Sequence, residues 1–369
     1  MSAITCIVCS RPDPYIERLE FPLFRHMDFG MFSKGPALLS YCQTCSAVSR
    51  LLSNAETKNI STMYQGSEYA TKREDDHTIF ISAKDAIKEP FRLQADILMP
   101  VLPKTGAAVL DIGCADAALL MEIGTRQPTA DLCGFDLNPY HNHVTGAEDK
   151  IRFVSGETIS AVDGAFDLIV LSHSLQYIRD VPELMSELAR LLNPEGTVFI
   201  QVPDFAQKPA SLLYGDLYYH YTAANLPVMA AYHGFGATTL NQKIFSRDVL
   251  CLLRRDNAPQ STVAETAFAN AVAALRQTVG NLISHGEESG LGVLGTTIEG
   301  ALADNFLGNS LAFFVDENPK KAGGRFCGKP VVHPRDIAVD AAVLLPYGRA
   351  AFAIKRRFEK LYPGRYISI

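Results

Sequence analysis

The chain has 369 residues, 47% of them hydrophobic and 20% charged, with a formal net charge of −6 and a pI near 5.9. That length accommodates two or three domains with sizeable cores, and the acidic balance argues against a broadly basic nucleic-acid surface. No apolar run approaches the ~20 residues that cross a bilayer, and the N-terminus lacks a charged-then-apolar leader. The expectation is therefore a cytoplasmic protein with neither nucleic acid nor membrane as partner.

Residues 1–58 carry Cys6-Ile7-Val8-Cys9 and Cys42-Gln43-Thr44-Cys45. Each pair can set two thiolates on one side of a tight knuckle, and four thiolates complete the tetrahedral shell of a structural Zn²⁺. A redox role suits these pairs less well, because no βαβ pattern precedes them. The segment is expected to be a small zinc-binding domain.

Residues 59–256 form the second expected domain. Its lead-in, 59–104, reads as helix and connector, with Tyr64 and Tyr69 followed by Phe91, Leu93, Ile97 and Leu98 at helical spacing. Apolar runs at 107–112, 130–136, 151–154, 166–172 and 196–202 then alternate with amphipathic helices, the clearest at 181–192. Such alternation builds a parallel sheet with helices on both faces and ligands at the carboxyl ends of the strands. Residues 257–369 form a third, smaller α/β unit. It opens with an alanine-rich helix over 262–284, apolar at 268, 272, 275 and 279. The glycines Gly290, Gly292 and Gly295, strands Leu311–Val315, Val331–Val332 and Ala341–Leu345, and a basic helix over 349–361 follow. The glycines read equally well as a phosphate-cradling turn and as packing positions, and the basic run as a solvated helix face.

The most informative motif is Val109-Leu110-Asp111-Ile112-Gly113-Cys114, a buried strand running into a glycine turn. Twenty-three residues after Gly113, a second strand ends in Gly134-Phe135-Asp136-Leu137-Asn138. A carboxylate at that strand tip is placed to accept hydrogen bonds from the two hydroxyls of a ribose. The turn has one glycine where dinucleotide folds use three, so the site suits a nucleoside without a pyrophosphate.

These residues resemble the class I S-adenosylmethionine-dependent methyltransferases. Ala165-Phe166-Asp167-Leu168-Ile169-Val170-Leu171-Ser172 and Leu191-Leu192-Asn193-Pro194-Glu195-Gly196-Thr197-Val198-Phe199-Ile200 continue the likeness as the fourth strand and the helix, turn and fifth strand. The resemblance implies a Rossmann-like core with the methionine moiety near Asp111, Gly113 and Cys114. It places the ribose on Asp136 and the adenine near Leu137, Gly156 and Glu157. In its three-part order the whole chain resembles the bacterial sugar C-methyltransferases, whose C-terminal Rossmann-like domain helps enclose a nucleotide-linked sugar. Phe314-Val315-Asp316-Glu317-Asn318-Pro319, Gly328-Lys329-Pro330-Val331-Val332-His333-Pro334 and Leu344-Leu345-Pro346-Tyr347-Gly348 carry that part of the likeness.

The chain departs from that family at its proton-handling residues. Tyr177 stands where a histidine is expected, and Asp216-Leu217 where a Glu-His pair would fall. His173 and His220 lie three or four residues away and are the candidate bases, since imidazole titrates near 6.5. Tyr64 and Tyr69 could close over a substrate, while Tyr218, Tyr219 and Tyr221 read first as half-buried packing. His141 and His143 read as a surface loop rather than a metal pair. The expected activity is C-methylation of a nucleotide-linked keto sugar, with methylation of a sugar hydroxyl, or donor binding without turnover, as alternatives.

Overall fold

The computed structural model describes residues 5, 6, 8, 9, 11, 12, 14–26, 28–66, 89–138, 150–241, 245–256 and 266–369. Tyr69, His141, His143 and the first four residues of the helix expected over 262–284 lie outside them. In chain order, β1 (Tyr15–Leu19), β2 (Leu23–Phe24), β3 (Met31–Ser33), β4 (Ala37–Tyr41) and β5 (Val48–Arg50) precede α1 (Asn54–Gln65) and α2 (Pro90–Leu98). Next come β6 (Ala108–Ile112), α3 (Ala118–Arg126), β7 (Asp131–Asp136), β8 (Ile151–Ser155), β9 (Phe166–Ser172), α4 (Val181–Leu191) and β10 (Leu192–Pro203). β11 (Tyr219–His220), α5 (Asn225–Tyr232), β12 (Phe235–Leu240) and β13 (Asp248–Arg255) follow. The remainder is α6 (Thr266–Ser284), β14 (Leu291–Leu294), α7 (Ile298–Leu307), β15 (Leu311–Val315), β16 (Arg325–Phe326), β17 (Lys329–Val332), β18 (Ala342–Leu345), α8 (Ala351–Leu361) and β19 (Arg365–Ser368).

The chain divides into two compact units. One contains Met1–Glu17, Leu39–Asp204 and Tyr218–Ala264; the other contains Arg18–Leu38, Phe205–Leu217 and Glu265–Ile369. The first holds a seven-stranded sheet in the order β12-β13-β10-β9-β6-β7-β8, in which β13 runs antiparallel to both of its neighbours. Successive strand residues point to opposite faces, and this sheet is apolar on both. Leu110, Ile112, Ile169, Leu171 and Ile200 pack with Leu184 and Leu188 of α4. Val109, Leu168, Val170 and Phe199 pack with Leu93 and Leu98 of α2 and Leu119, Leu120 and Ile123 of α3. Helix α4 starts cleanly because Asp180 caps it, accepting the Glu183 N–H at 3.0 Å.

Five strands of this sheet match the apolar runs read from sequence; β12 and β13 had escaped that reading. In Asp248-Val249-Leu250-Cys251-Leu252-Leu253 an unbroken apolar run fits helix and strand alike, and only pairing with β10 decides between them. The strand order reverses beside β6, with β7 on one side and β9 on the other. Doubly wound sheets bind ligands at such a switch point, outside the carboxyl ends of the strands.

The second unit holds a six-stranded sheet in the order β16-β17-β15-β14-β18-β19, parallel except for the β16–β17 pair. Helix α6 buries Phe268, Val272, Leu275 and Val279, the apolar stripe expected from its spacing. Its three nominated glycines do not form one cradle. Gly292 lies in β14 beneath the ring of Phe313, and Gly290 precedes that strand; Gly295 alone makes the turn after it, at φ +91°. A methyl group on Gly295 would collide with the hydroxyl of Tyr347, which donates to Leu294 O.

The two sheets share one local device. In the first, Gly113 N–H donates to Phe135 O at 2.7 Å, and Asp136 accepts the N–H of Ala115 at 3.0 Å and of Asn138 at 2.9 Å. In the second, Gly295 N–H donates to Val315 O at 2.7 Å, and Asp316 accepts the N–H of Thr296 at 3.2 Å and of Asn318 at 2.9 Å. Both acids open an Asp-x-Asn-Pro run, Asp136-Leu137-Asn138-Pro139 and Asp316-Glu317-Asn318-Pro319. The carboxylate ties the tip of the second strand to the turn after the first.

Candidate functional site

The turn between β6 and α3 has left-handed backbone at Gly113 (φ +79°), Ala115 (φ +48°) and Ala117 (φ +55°). Only the first is a glycine. Alanine at such φ costs about 1–2 kcal/mol, a strain the surrounding hydrogen bonds must hold in place. Gly113 is needed for packing as well as for φ: a Cβ there would lie 2.7 Å from Cβ of Ser174, in the loop after β9. The β6 and β9 loops thus meet at the switch point.

The nominated donor-binding residues gather along this edge. Asp111 is buried in β6, and the Cys114 thiol packs so closely on Gly134 that a Cβ there would lie 2.7 Å from Sγ. Each oxygen of Asp136 accepts one backbone N–H, and a carboxylate oxygen has a further lone pair for a ribose hydroxyl. Leu137 is half-buried just beyond it; Gly156 is half-buried and Glu157 exposed at the end of β8. Asn138, which sequence reasoning passed over, donates to Tyr64 O at 3.0 Å and Gly66 O at 3.2 Å, pinning the end of α1 to the tip of β7. Tyr64 meets Tyr177 edge-on at a centroid distance of 4.8 Å.

His173 follows β9 directly, in left-handed conformation at φ +54°. Its N–H donates to Gln201 O at 2.8 Å, and its Nε2 lies 3.3 Å from Oδ2 of Asp248. Gln201 Nε2 donates to the same Oδ2 at 2.7 Å, and Gln94 of α2 donates to Ser172 Oγ at 2.7 Å and Gln201 Oε1 at 2.9 Å. Asp248 and Gln201 were invisible to motif reading because each is far from His173 in sequence. The histidine–carboxylate pair forms only when β13 lies against β10.

His220 is elsewhere in the first unit, in β11, which pairs with β5 through Tyr219↔Ser49 and His220↔Val48. It is 4% exposed, and its Nε2 has no hydrogen-bond partner among the described residues. Burial, reinforced by the Arg50 cation, lowers its pKa from 6.5 to about 3, so the ring is neutral. Burial also raises the hydroxyls of Tyr218 and Tyr221 above their ordinary value. Asp216 belongs to the second unit, where its buried carboxylate accepts the N–H of His26 at 2.9 and 3.0 Å.

The four nominated cysteines converge. Cys6 Sγ is 3.5 Å from Cys45 Sγ, Cys9 Sγ is 3.5 Å from Cys42 Sγ, and all four sulfurs lie within 4.8 Å of one another. Thiolates around a tetrahedral Zn²⁺ at ~2.3 Å stand about 3.8 Å apart, so this set fits such an ion with no open position.

A family profile described as "Methyltransferase domain" matches residues 86–240. Residues 86–240 form a class I S-adenosylmethionine-dependent methyltransferase domain. This methyltransferase domain is similar to the trans-aconitate 2-methyltransferase of Deinococcus radiodurans, 35% identical over 123 residues, covering 32% of this chain and 46% of the relative. Its Escherichia coli namesake is 32% identical over 107 residues, covering 28% and 42%. The chain therefore spans less than half the length of either relative. Among solved structures, the mitomycin 7-O-methyltransferase is 14% identical with a TM-score of 0.38, covering 44% of this chain and 53% of that one. No helix among the described residues is long and apolar enough to cross a membrane.

Proposed function

We propose that the protein methylates a small molecule, with His173 removing the acceptor's proton and Asp248 orienting the imidazole. The observation that carries this reading is His173 itself. A non-glycine residue held left-handed at the switch point, with its ring against a carboxylate, is the arrangement expected of a base kept in one orientation. Bound S-adenosylmethionine would supply an electrophilic methyl on its sulfonium, its ribose on Asp136. His173 would take the acceptor's proton as the acceptor took the methyl that a bound donor would supply, the donor's sulfur keeping the electrons of the broken bond. His220, whose basicity burial lowers, suits hydrogen bonding to an acceptor oxygen better than proton removal.

The acceptor class we favour is a nucleotide-linked keto sugar methylated on carbon, supported by the order of cysteine segment, methyltransferase core and trailing α/β unit. Methylation at oxygen is the second reading, supported by the relatives named for trans-aconitate, whose carboxylates need no base. We further propose that the four cysteines hold a structural zinc ion. Labelled donor tested against nucleotide-linked keto sugars and trans-aconitate in D₂O separates the acceptor readings. Carbon methylation predicts deuterium exchange beside the ketone. His173→Ala should lower turnover about 10²–10⁴-fold with donor affinity nearly unchanged. Methyl-ester formation on trans-aconitate, equally fast in His173→Ala, would refute the assignment.

A further inference from the structure

Asn225, the first residue of α5, is buried, and its amide is used at every contact the geometry offers. Oδ1 accepts the Thr222 N–H at 2.7 Å, while Nδ2 donates to Ser46 O at 3.1 Å and to His220 O at 3.4 Å. Its own N–H donates to Thr222 Oγ1 at 3.1 Å. Ser46 directly follows Cys45, and its left-handed backbone (φ +54°) is closed into the cysteine knuckle by Ser46 N–H to Cys42 O at 2.7 Å and Cys42 N–H to Ala47 O at 2.9 Å. One side chain thus joins the loop that carries two of the four thiols to the carbonyl of His220.

We infer that Asn225 is a positioning residue, coupling metal occupancy of the cysteine site to the placement of His220. The inference rests on reading the four cysteines as a metal site. β11 is only two residues long, too short to keep its own register, and its partner strand β5 starts three residues beyond Cys45. A metal that locks Cys42 and Cys45 fixes Ser46, and with it one anchor of the Asn225 amide. The other anchor is the His220 backbone. Asparagine alone supplies one acceptor and two donors at this reach; aspartate lacks the donors, and alanine leaves two carbonyls to lose a bond. The metal and the methyl-transfer segment then form one mechanical assembly, and each must affect the other equally in free energy.

The test uses the full-length, zinc-loaded protein and its Asn225→Ala and Asn225→Asp variants. Zinc affinity is measured by competition with a chromophoric chelator, backbone exchange by mass spectrometry, and S-adenosylmethionine affinity by calorimetry. Both variants should hold zinc about tenfold more weakly and exchange amides 218–222 about tenfold faster, while β6 and β7 exchange as before and donor affinity moves less than about twofold. Removing zinc from the unsubstituted protein should accelerate the same amides, which provides the reading should a variant not fold. Unchanged zinc affinity in both variants, or faster exchange spread equally over β6 and β7, would overturn the coupling. Protein that binds no zinc would overturn the coupling and the metal assignment together; zinc that binds with 218–222 indifferent to it would overturn the coupling alone.

Discussion

Replacing Gly113 with alanine separates the two reasons a glycine stands there. The backbone at φ +79° costs an L-residue about 1–2 kcal/mol. The new Cβ, 2.7 Å from Ser174 Cβ, adds an overpacking cost of about 1–3 kcal/mol. Restricting the unfolded chain returns about 0.4–1 kcal/mol, leaving a net loss of about 1–5 kcal/mol. The chain has no tryptophan, so urea unfolding is best followed by circular dichroism. Gly113→Ala should lower the midpoint markedly, and Ser174→Gly in the same chain should recover only the steric share. The double-mutant cycle therefore predicts a coupling of about 1–3 kcal/mol between the two positions. Ala115 and Ala117 set the scale, since both already bear a methyl at positive φ. A Gly113→Ala loss below about 1 kcal/mol, or a loss that Ser174→Gly leaves untouched, would refute the reasoning.

Asp136→Asn replaces one accepting oxygen with an NH₂ that faces a backbone N–H. It should cost about 1–3 kcal/mol in stability, and calorimetry should show donor affinity lower by tenfold or more, about 1.4 kcal/mol. His220 makes stability depend on pH. Its folded pKa, about 3, lies below the unfolded 6.5, so its contribution is complete above 6.5 and declines as pH falls toward 3, because the unfolded chain takes the proton first. Between pH 7.5 and 5 the loss from this group is about 2 kcal/mol. Denaturant midpoints of the parent and His220→Gln should diverge over that interval; parallel curves would show that the ring is not held neutral.

Much of the site could be read from local pattern. Asp111, Gly113 and Asp136 lie on strand tips because apolar runs of strand length alternate with helical spacing, and a parallel sheet orders such tips along one edge. Two C-x-x-C pairs indicated a closed metal shell because four soft donors in two tight turns fit few other arrangements. The recurrence of Asp-x-Asn-Pro was equally visible, but it acquires meaning only once both acids are seen bonding the turn beside them. Asp216 shows the opposite case: its place in the sequence suggested proton handling, whereas its carboxylate binds the backbone of His26 in the second unit.

The sequence by itself determined the strand and helix periods, the acids and glycine at the strand tips and the convergence of four thiols, because each depends on neighbours a few residues apart or on repeated short spacing. Only the tertiary structure decided that Asp248 faces His173, that Asn225 bridges Ser46 and His220, and that Ser174 fills the space beside Gly113. Apart from Asn225 and His220, five positions apart, those contacts join residues 61 to 179 positions apart. No local propensity encodes them; they exist because burying both faces of the sheet leaves the intervening polar groups one another as partners.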